Sequence, residues 1–208
     1  MAESYKTEQI RNIAVVGHAG SGKTTLIEAL LQKASAIPSA GSVQKGTTVC
    51  DYTDQEQRLH HSLDTATSHL EHDDRHINLI DTPGYPDFMG RALGILPAVE
   101  TAAIVVSGQA GVELVTQRMM DFTAERNLCR LIIVNQIDMD DINLHAVLRE
   151  IRDTFGKHCL PLNLPADNGK TVADCFFEPS DSTPDFASIE AAHTEMIDQV
   201  VELDDDLM

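Results

Sequence analysis

The sequence predicts an α/β fold: a doubly wound, mainly parallel sheet with one antiparallel edge strand. Three observations carry that expectation. Apolar runs at Ile13–Val16, Ile77–Ile80 (broken only by Asn78), Ala102–Val106 and Leu131–Val134 suit strands buried on both faces of a parallel sheet. Helical periodicities fall between and after these runs. A glycine-rich loop, Gly17-His18-Ala19-Gly20-Ser21-Gly22-Lys23-Thr24, follows the first run and fits GxxxxGK[ST].

Taken in chain order, Ile13–Val16 leads into that loop and a helix leads out, with Ile27, Leu30, Leu31 and Ala34 on one face. Strand, loop and helix together predict a P-loop NTPase fold. The glycines let backbone N–H groups turn inward as an anion-binding nest. Lys23 reaches the outer phosphates, the Thr24 hydroxyl ligates Mg²⁺, and Thr25 joins the nucleotide-binding set in the first turn of the helix. The helix N-terminus aims its positive end at the phosphates.

Residues 35–61 are rich in Gly, Ser, Thr and charge without clear periodicity, as in a long functional or disordered loop. Leu63–Leu70 reads as the edge strand, joined to Ile77–Ile80 through the polar stretch Glu71–Arg75. His69, His72 and His76 flank that stretch; without thiols or a second ligand cluster, they read as hairpin residues rather than a metal site. Asp81-Thr82-Pro83-Gly84 closes the strand. An Asp there suits a second Mg²⁺ contact, and Gly84 lets a backbone N–H approach the γ-phosphate.

Further on, Val112, Val115, Met119 and Phe122 share a helix face, and so do Leu144, Val147, Leu148, Ile151 and Phe155, with Gly156 as the stop. Between these helices, Asn135-Gln136-Ile137-Asp138 follows the strand Leu131–Val134. The Asp138 carboxylate can accept from guanine N1–H and the exocyclic amine, a pair of donors that adenine lacks. After Leu160, a Pro-rich irregular segment surrounds Val172–Phe177. An acidic helix follows, with Ile189, Ala192, Met196 and Val200 on one face, and the chain stops at Asp204-Asp205-Asp206-Leu207-Met208.

The bulk properties set limits. At 208 residues the chain holds one substantial α/β domain and part of a second. The formal charge of −18 argues against direct nucleic-acid binding by this segment, because phosphate contacts need a basic surface. No apolar run reaches the ~20 residues of a membrane span, and the first residues carry no signal-peptide core, so a cytoplasmic protein is expected. Cys50, Cys129, Cys159 and Cys175 form no CxxC pair and read as reduced structural thiols.

The three nucleotide motifs, in this order, resemble those of the translational GTPases, in particular the elongation factor G branch and its elongation-factor-G-like paralogues. Arg11-Asn12-Ile13, Asp51-Tyr52, Glu56-Gln57 and the run His76–Gly84 add to the likeness, which covers most of residues 10–160. The resemblance implies that Gly17–Thr24 bind the phosphates of GTP or GDP, while Asn135, Gln136 and Asp138 form the guanine site. Thr24 and Asp81 would hold Mg²⁺, joined by Ser62, which falls where the family's first switch has a Thr. Residues 35–62 and 81–90 would be the two switches. Lys23, Gly84 and Tyr85 would form the catalytic set.

Several positions depart from the family pattern. Tyr85 stands where a water-positioning His is usual, and a phenol with a pKa near ~10 does not become a cation at neutral pH. Leu59-His60-His61-Ser62 replaces Arg-Gly-Ile-Thr, and the two histidines read as solvent-facing, with a catalytic role as the alternative. Gln136 replaces a Lys and Gly20 an Asp. The family's final Ser-Ala loop has no counterpart after Asp138. The expectation is therefore a GTP-binding domain over 10–160, incomplete at its C-terminus, with the start of an inserted subdomain and acidic helix over 161–208. It would belong to a longer protein that meets the ribosome through other domains. Two alternatives stand beside a GTPase: a nucleotide-dependent binding module with little turnover, and an ATP-using P-loop enzyme.

Overall fold

The computed structural model describes residues 5–177 and 183–203, so the expected acidic end at 204–208 and Pro179 lie outside the described residues. The chain forms two compact units, residues 1–135 and 136–208.

The first unit is built on a five-stranded sheet of order β2-β3-β1-β4-β5. Its strands are β1 (Ile10–Val16), β2 (Ala66–His72), β3 (Arg75–Asp81), β4 (Thr101–Ser107) and β5 (Cys129–Asn135). The pairs β1–β3, β1–β4 and β4–β5 are parallel, and β2–β3 is antiparallel. The fold is thus the mainly parallel α/β sheet with one antiparallel edge strand that the apolar runs predict. Interior β4 is buried from Ala102 to Ser107, which is why its sequence shows no alternation.

The edge strand begins at Ala66 rather than Leu63. The amides of Leu63 and Asp64 donate instead to Glu56 Oε1, at 3.0 and 3.3 Å. Its hairpin turns through Asp73 and Asp74, at φ 46° and 58°, the left-handed pair of a tight type I′ connection. His69 and His76 stack across it at 5.0 Å. No metal-binding cluster of His, Cys, Asp and Glu occurs among the described residues.

Helix α1 (Lys23–Lys33) buries Ile27, Glu28 and Leu31, whereas Leu30 is 39% exposed. The buried stripe is therefore rotated from the expected one, and a carboxylate takes the place of a leucine. Ile27 and Leu31 pack with Val15, Leu79, Val105 and Cys50. Cys50 brings the segment 35–61 onto this core. That segment is built rather than featureless: a 3₁₀ turn spans Val43–Lys45, and α2 (Asp54–Leu59) starts at a capping box in which Thr53 and Glu56 satisfy each other's backbone N–H.

Beyond Gly84, a 3₁₀ turn (Pro86–Phe88) runs into α3 (Met89–Ile95), a helix that the sequence pattern does not announce because Gly90 and Gly94 interrupt it. Helix α4 (Leu114–Glu125) buries Val115, Thr116, Met119, Met120 and Thr123, so its core face too is rotated, and Phe122 is only half-buried. Thr123 remains satisfied there by donating to Met119 O and Met120 O at 2.8 and 2.9 Å.

In the second unit, α5 (Leu144–Phe155) buries Val147 and Ile151, and Gly156 caps it at φ 111°. The segment expected to be irregular contains a hairpin, β6 (Asn163–Ala166) and β7 (Thr171–Asp174). Helix α6 (Ile189–Leu203) contributes Ala192 and Met196 to a core with Leu164 and Cys175, while Val200 is 41% exposed. All four cysteines are free, and Cys129 is exposed. No helix among the described residues is long and apolar enough to cross a membrane.

The rotated face of α1 can be tested by urea unfolding. Ile27→Ala, at a fully buried position, is expected to cost about 2–5 kcal/mol, and Leu30→Ala less than about 1 kcal/mol. Equal costs would contradict the assigned face.

Candidate functional site

The loop between β1 and α1 owes its path to backbone conformations that favour glycine. Gly17 has φ 139°, and a Cβ there would lie 2.3 Å from Val105 O. Gly22, at φ 86°, is the left-handed N-cap of α1. The loop folds around Lys23, whose Nζ donates to Gly17 O and His18 O at 3.0 and 2.8 Å. Burial lowers the Lys23 pKa to about 8, with Asp81 pulling the other way. His18 is buried with Nδ1 3.2 Å from Thr116 Oγ1, and burial lowers its pKa. Ser21 Oγ donates to His18 O at 2.9 Å. Ala19 is half-buried, and Gly20 and Thr25 are exposed.

Asp81 is fully buried at the end of β3. Burial raises its pKa to about 6, against hydrogen bonds from Thr24 and Thr82 and the charge of Lys23. Thr24 Oγ1 donates to Asp81 Oδ2 at 2.6 Å and lies 3.4 Å from Ser62 Oγ. The three residues expected to hold a metal therefore converge, although Ser62 is distant in sequence. A fourth oxygen joins them: Ser62 Oγ donates to Asp51 Oδ1 at 2.8 Å, and buried Asp51 also accepts from Thr48 Oγ1 at 3.0 Å. In the sequence, Asp51 stands out only through the family resemblance. Its separation from Ser62 gives no local signal of their contact. Hydroxyl and carboxylate oxygens are the donors that a hard cation such as Mg²⁺ takes, so these residues fit one.

Two more carboxylates hold the loop that carries Asp51 and Ser62. Glu28 Oε2 accepts from Gly41 N at 2.6 Å and Glu28 Oε1 from Val49 N at 2.5 Å. Burial opposes the charge of Glu56, but hydrogen bonds from Thr53, Leu63 and Asp64 outweigh it and hold its carboxyl below the usual range. Burial, then the carboxylates of Asp81 and Glu28, push the Cys50 thiol far up, as befits an inert structural cysteine.

Gly84 lies against the phosphate loop: a Cβ on it would come within 2.5 Å of Ala19 N and Lys23 Nζ. Tyr85 follows at the start of the turn Pro86–Phe88, 42% exposed. Its ring meets that of His61 at 4.7 Å. His61 is half-buried, which corrects the expectation of two solvent-facing histidines; His60 is exposed, its Nδ1 3.0 Å from Val43 O.

Asn135, expected at the base, donates from Nδ2 to Ser21 O at 2.9 Å and so ties the end of β5 to the phosphate loop. Gln136 and Asp138 belong to the second unit, where Gln136 has φ 59° and Asp138 is exposed.

Comparison with known proteins supplies a context for this geometry. Residues 8–207 match the family described as elongation factor Tu GTP binding domain. An elongation factor G-like protein from Mycobacterium tuberculosis is 35% identical over 207 residues, 95% of this chain and 29% of its own length. The mitochondrial ribosome-releasing factor 2 of Drosophila melanogaster is 30% identical over 227 residues, 98% of this chain and 30% of its own. A crystal structure from Thermus thermophilus superposes with a TM-score of 0.85 at 34% identity, over 96% of this chain and 32% of that one. The chain thus spans about a third of the length of the relatives it matches.

The Glu28 tether gives a direct measurement. Glu28→Ala removes the acceptor for the amides of Gly41 and Val49, and their hydrogen exchange should accelerate by about 10-fold or more. Unchanged exchange at both amides would show that Glu28 does not hold the loop.

Proposed function

Because the chain belongs to the family of elongation factor Tu GTP-binding domains, we propose that it binds GTP with Mg²⁺ and hydrolyses it to GDP and phosphate. It would serve as the switch domain of a longer translation factor. The observation that carries the reading is the convergence of Thr24, Ser62, Asp81 and Asp51 beside Lys23 and Gly84. In it, both expected switch segments meet the phosphate loop.

Each residue has a role in this proposal. The N–H groups of Gly17–Thr24 and the ammonium of Lys23 hold the phosphates, with Thr25 behind them in the first turn of α1. Thr24, Ser62 and Asp81 would hold Mg²⁺, with Asp51 orienting Ser62. The metal, when bound, neutralises charge on the phosphate oxygens. The N–H of Gly84 approaches the γ-phosphate, and the Tyr85 hydroxyl orients the attacking water. Asn135, Gln136 and Asp138 form the guanine site, Asp138 choosing guanine over adenine because its carboxylate needs two donors. Residues 10–160 form the nucleotide-binding part and 161–208 the start of an inserted subdomain. The relatives' names support a ribosome-associated protein, which would meet the ribosome through domains outside this chain; the cytoplasmic location is proposed from the sequence alone.

A second reading, a nucleotide-dependent binding module with little or no hydrolysis, is favoured by one observation: Tyr85 stands where the family resemblance places a water-orienting His. Single-turnover hydrolysis with and without ribosomes separates the two. Turnover above background in either condition supports the enzyme; background rates in both leave the binding module. Tighter ATP than GTP binding, unaffected by Asp138→Ala, would overturn the guanine role.

Lys23 adds a pH test. Its pKa is about 8 in the free protein, below the ordinary 10.5, so the lysine loses its proton as pH rises through 8. Bound phosphate would favour the charged form. GTP binding should therefore take up almost no proton at about pH 7 and most of one at about pH 8.5, with affinity falling as pH rises. Calorimetry in buffers of different ionisation enthalpy measures the uptake, and Lys23→Met should abolish it.

A further inference from the structure

His61 and Tyr85 stand on loops that are pinned separately. On the first loop, Ser62 donates to Asp51 at 2.8 Å and the Leu63 and Asp64 amides donate to Glu56, so the backbone beside His61 has little freedom. His61 Nδ1 lies 3.3 Å from Ser62 O; a carbonyl only accepts, so the ring nitrogen donates there. On the second loop, Gly84 is packed against the phosphate loop, and Tyr85 O accepts from Phe88 N at 3.1 Å. The imidazole and phenol centroids are 4.7 Å apart with planes tilted by 58°, and the Phe88 ring is 6.4 Å from the same imidazole. Rings at this spacing attract one another.

We propose that His61 is a positioning residue for Tyr85, fixing the phenol at the phosphate end of the loop so that its hydroxyl meets the attacking water in one orientation. The inference rests on the GTPase reading above. Tyr85 is 42% exposed, so without the imidazole wall its ring is free to turn toward solvent. Phosphoryl transfer depends mainly on positioning, and a displacement of about 1 Å can cost ~10²-fold. The ring contact, rather than a proton on the imidazole, does this work, so phenylalanine should replace His61 and alanine should not.

The test uses the full chain. His61→Ala should lower the single-turnover rate about 10-fold and leave GTP affinity within about 2-fold, while His61→Phe should recover most of the rate. In a Tyr85→Ala background, His61→Ala should have no further effect. His60→Ala, at the exposed neighbour, is the control. A readout independent of turnover comes from ¹⁹F NMR of 3-fluorotyrosine: the chain has three tyrosines, and Tyr85→Phe assigns the relevant signal. His61→Ala should move that signal and His60→Ala should not. An unmoved signal, an unchanged rate in His61→Ala, no recovery in His61→Phe, or an equal loss in the Tyr85→Ala background overturns the proposal. A chain that binds GTP but hydrolyses none also overturns it, leaving the binding reading intact. Failure to bind GTP overturns both.

Discussion

The fully buried carboxylate of Asp81 is the constraint around which the first unit is organised. A charge taken out of water must be offset by hydrogen bonds and opposite charge or be neutralised. Asp81 receives the Thr24 hydroxyl and the Thr82 amide, with Lys23 nearby, and still has its pKa raised to about 6. Its place at the end of β3, paired in parallel with β1, puts it beside the phosphate loop. The loop and the sheet therefore share one electrostatic problem, which a divalent cation would relieve.

The long segment after α1 is ordered by acids that face inward. Glu28, Asp51 and Glu56 are buried, and each accepts more than one hydrogen bond, from amides, hydroxyls or both. In a chain with a formal charge of −18, most carboxylates lie in water, but these three act as fasteners. For Glu56, hydrogen bonds from Thr53, Leu63 and Asp64 outweigh burial and hold the carboxyl below its usual range. The segment thereby carries Ser62 to Thr24 and His61 to Tyr85, two contacts that link the loops flanking the phosphate-loop end of the sheet.

Much of this was legible in one dimension. The four apolar runs mark the parallel strands, and burial on both faces explains the lack of alternation in β4. In β5 no residue is fully buried and Leu131 is 41% exposed, against the expectation of burial on both faces. The edge hairpin follows from its polar turn. Thr24 and Asp81 were legible because phosphate-loop chemistry demands those residue types at strand and helix ends. Helix faces were less so. In α1 and α4, Glu28 and Thr123 occupy core positions that a hydrophobicity pattern assigns to Leu30 and Phe122. Polar groups enter a core when they are satisfied, Glu28 by the distant amides of Gly41 and Val49 and Thr123 by carbonyls of its own helix.

The sequence by itself determined the strands, the phosphate loop and the type of ligand it suits, because backbone conformation and burial act on residues close along the chain. Only the tertiary structure decided that Asp51 joins Ser62 and Thr24, that Glu28 and Glu56 fasten the long loop, and that His61 lies against Tyr85. Each of these contacts joins residues whose separation carries no periodic signal. Hydrogen bonding and ring packing depend on distance in space, and the sheet sets that distance.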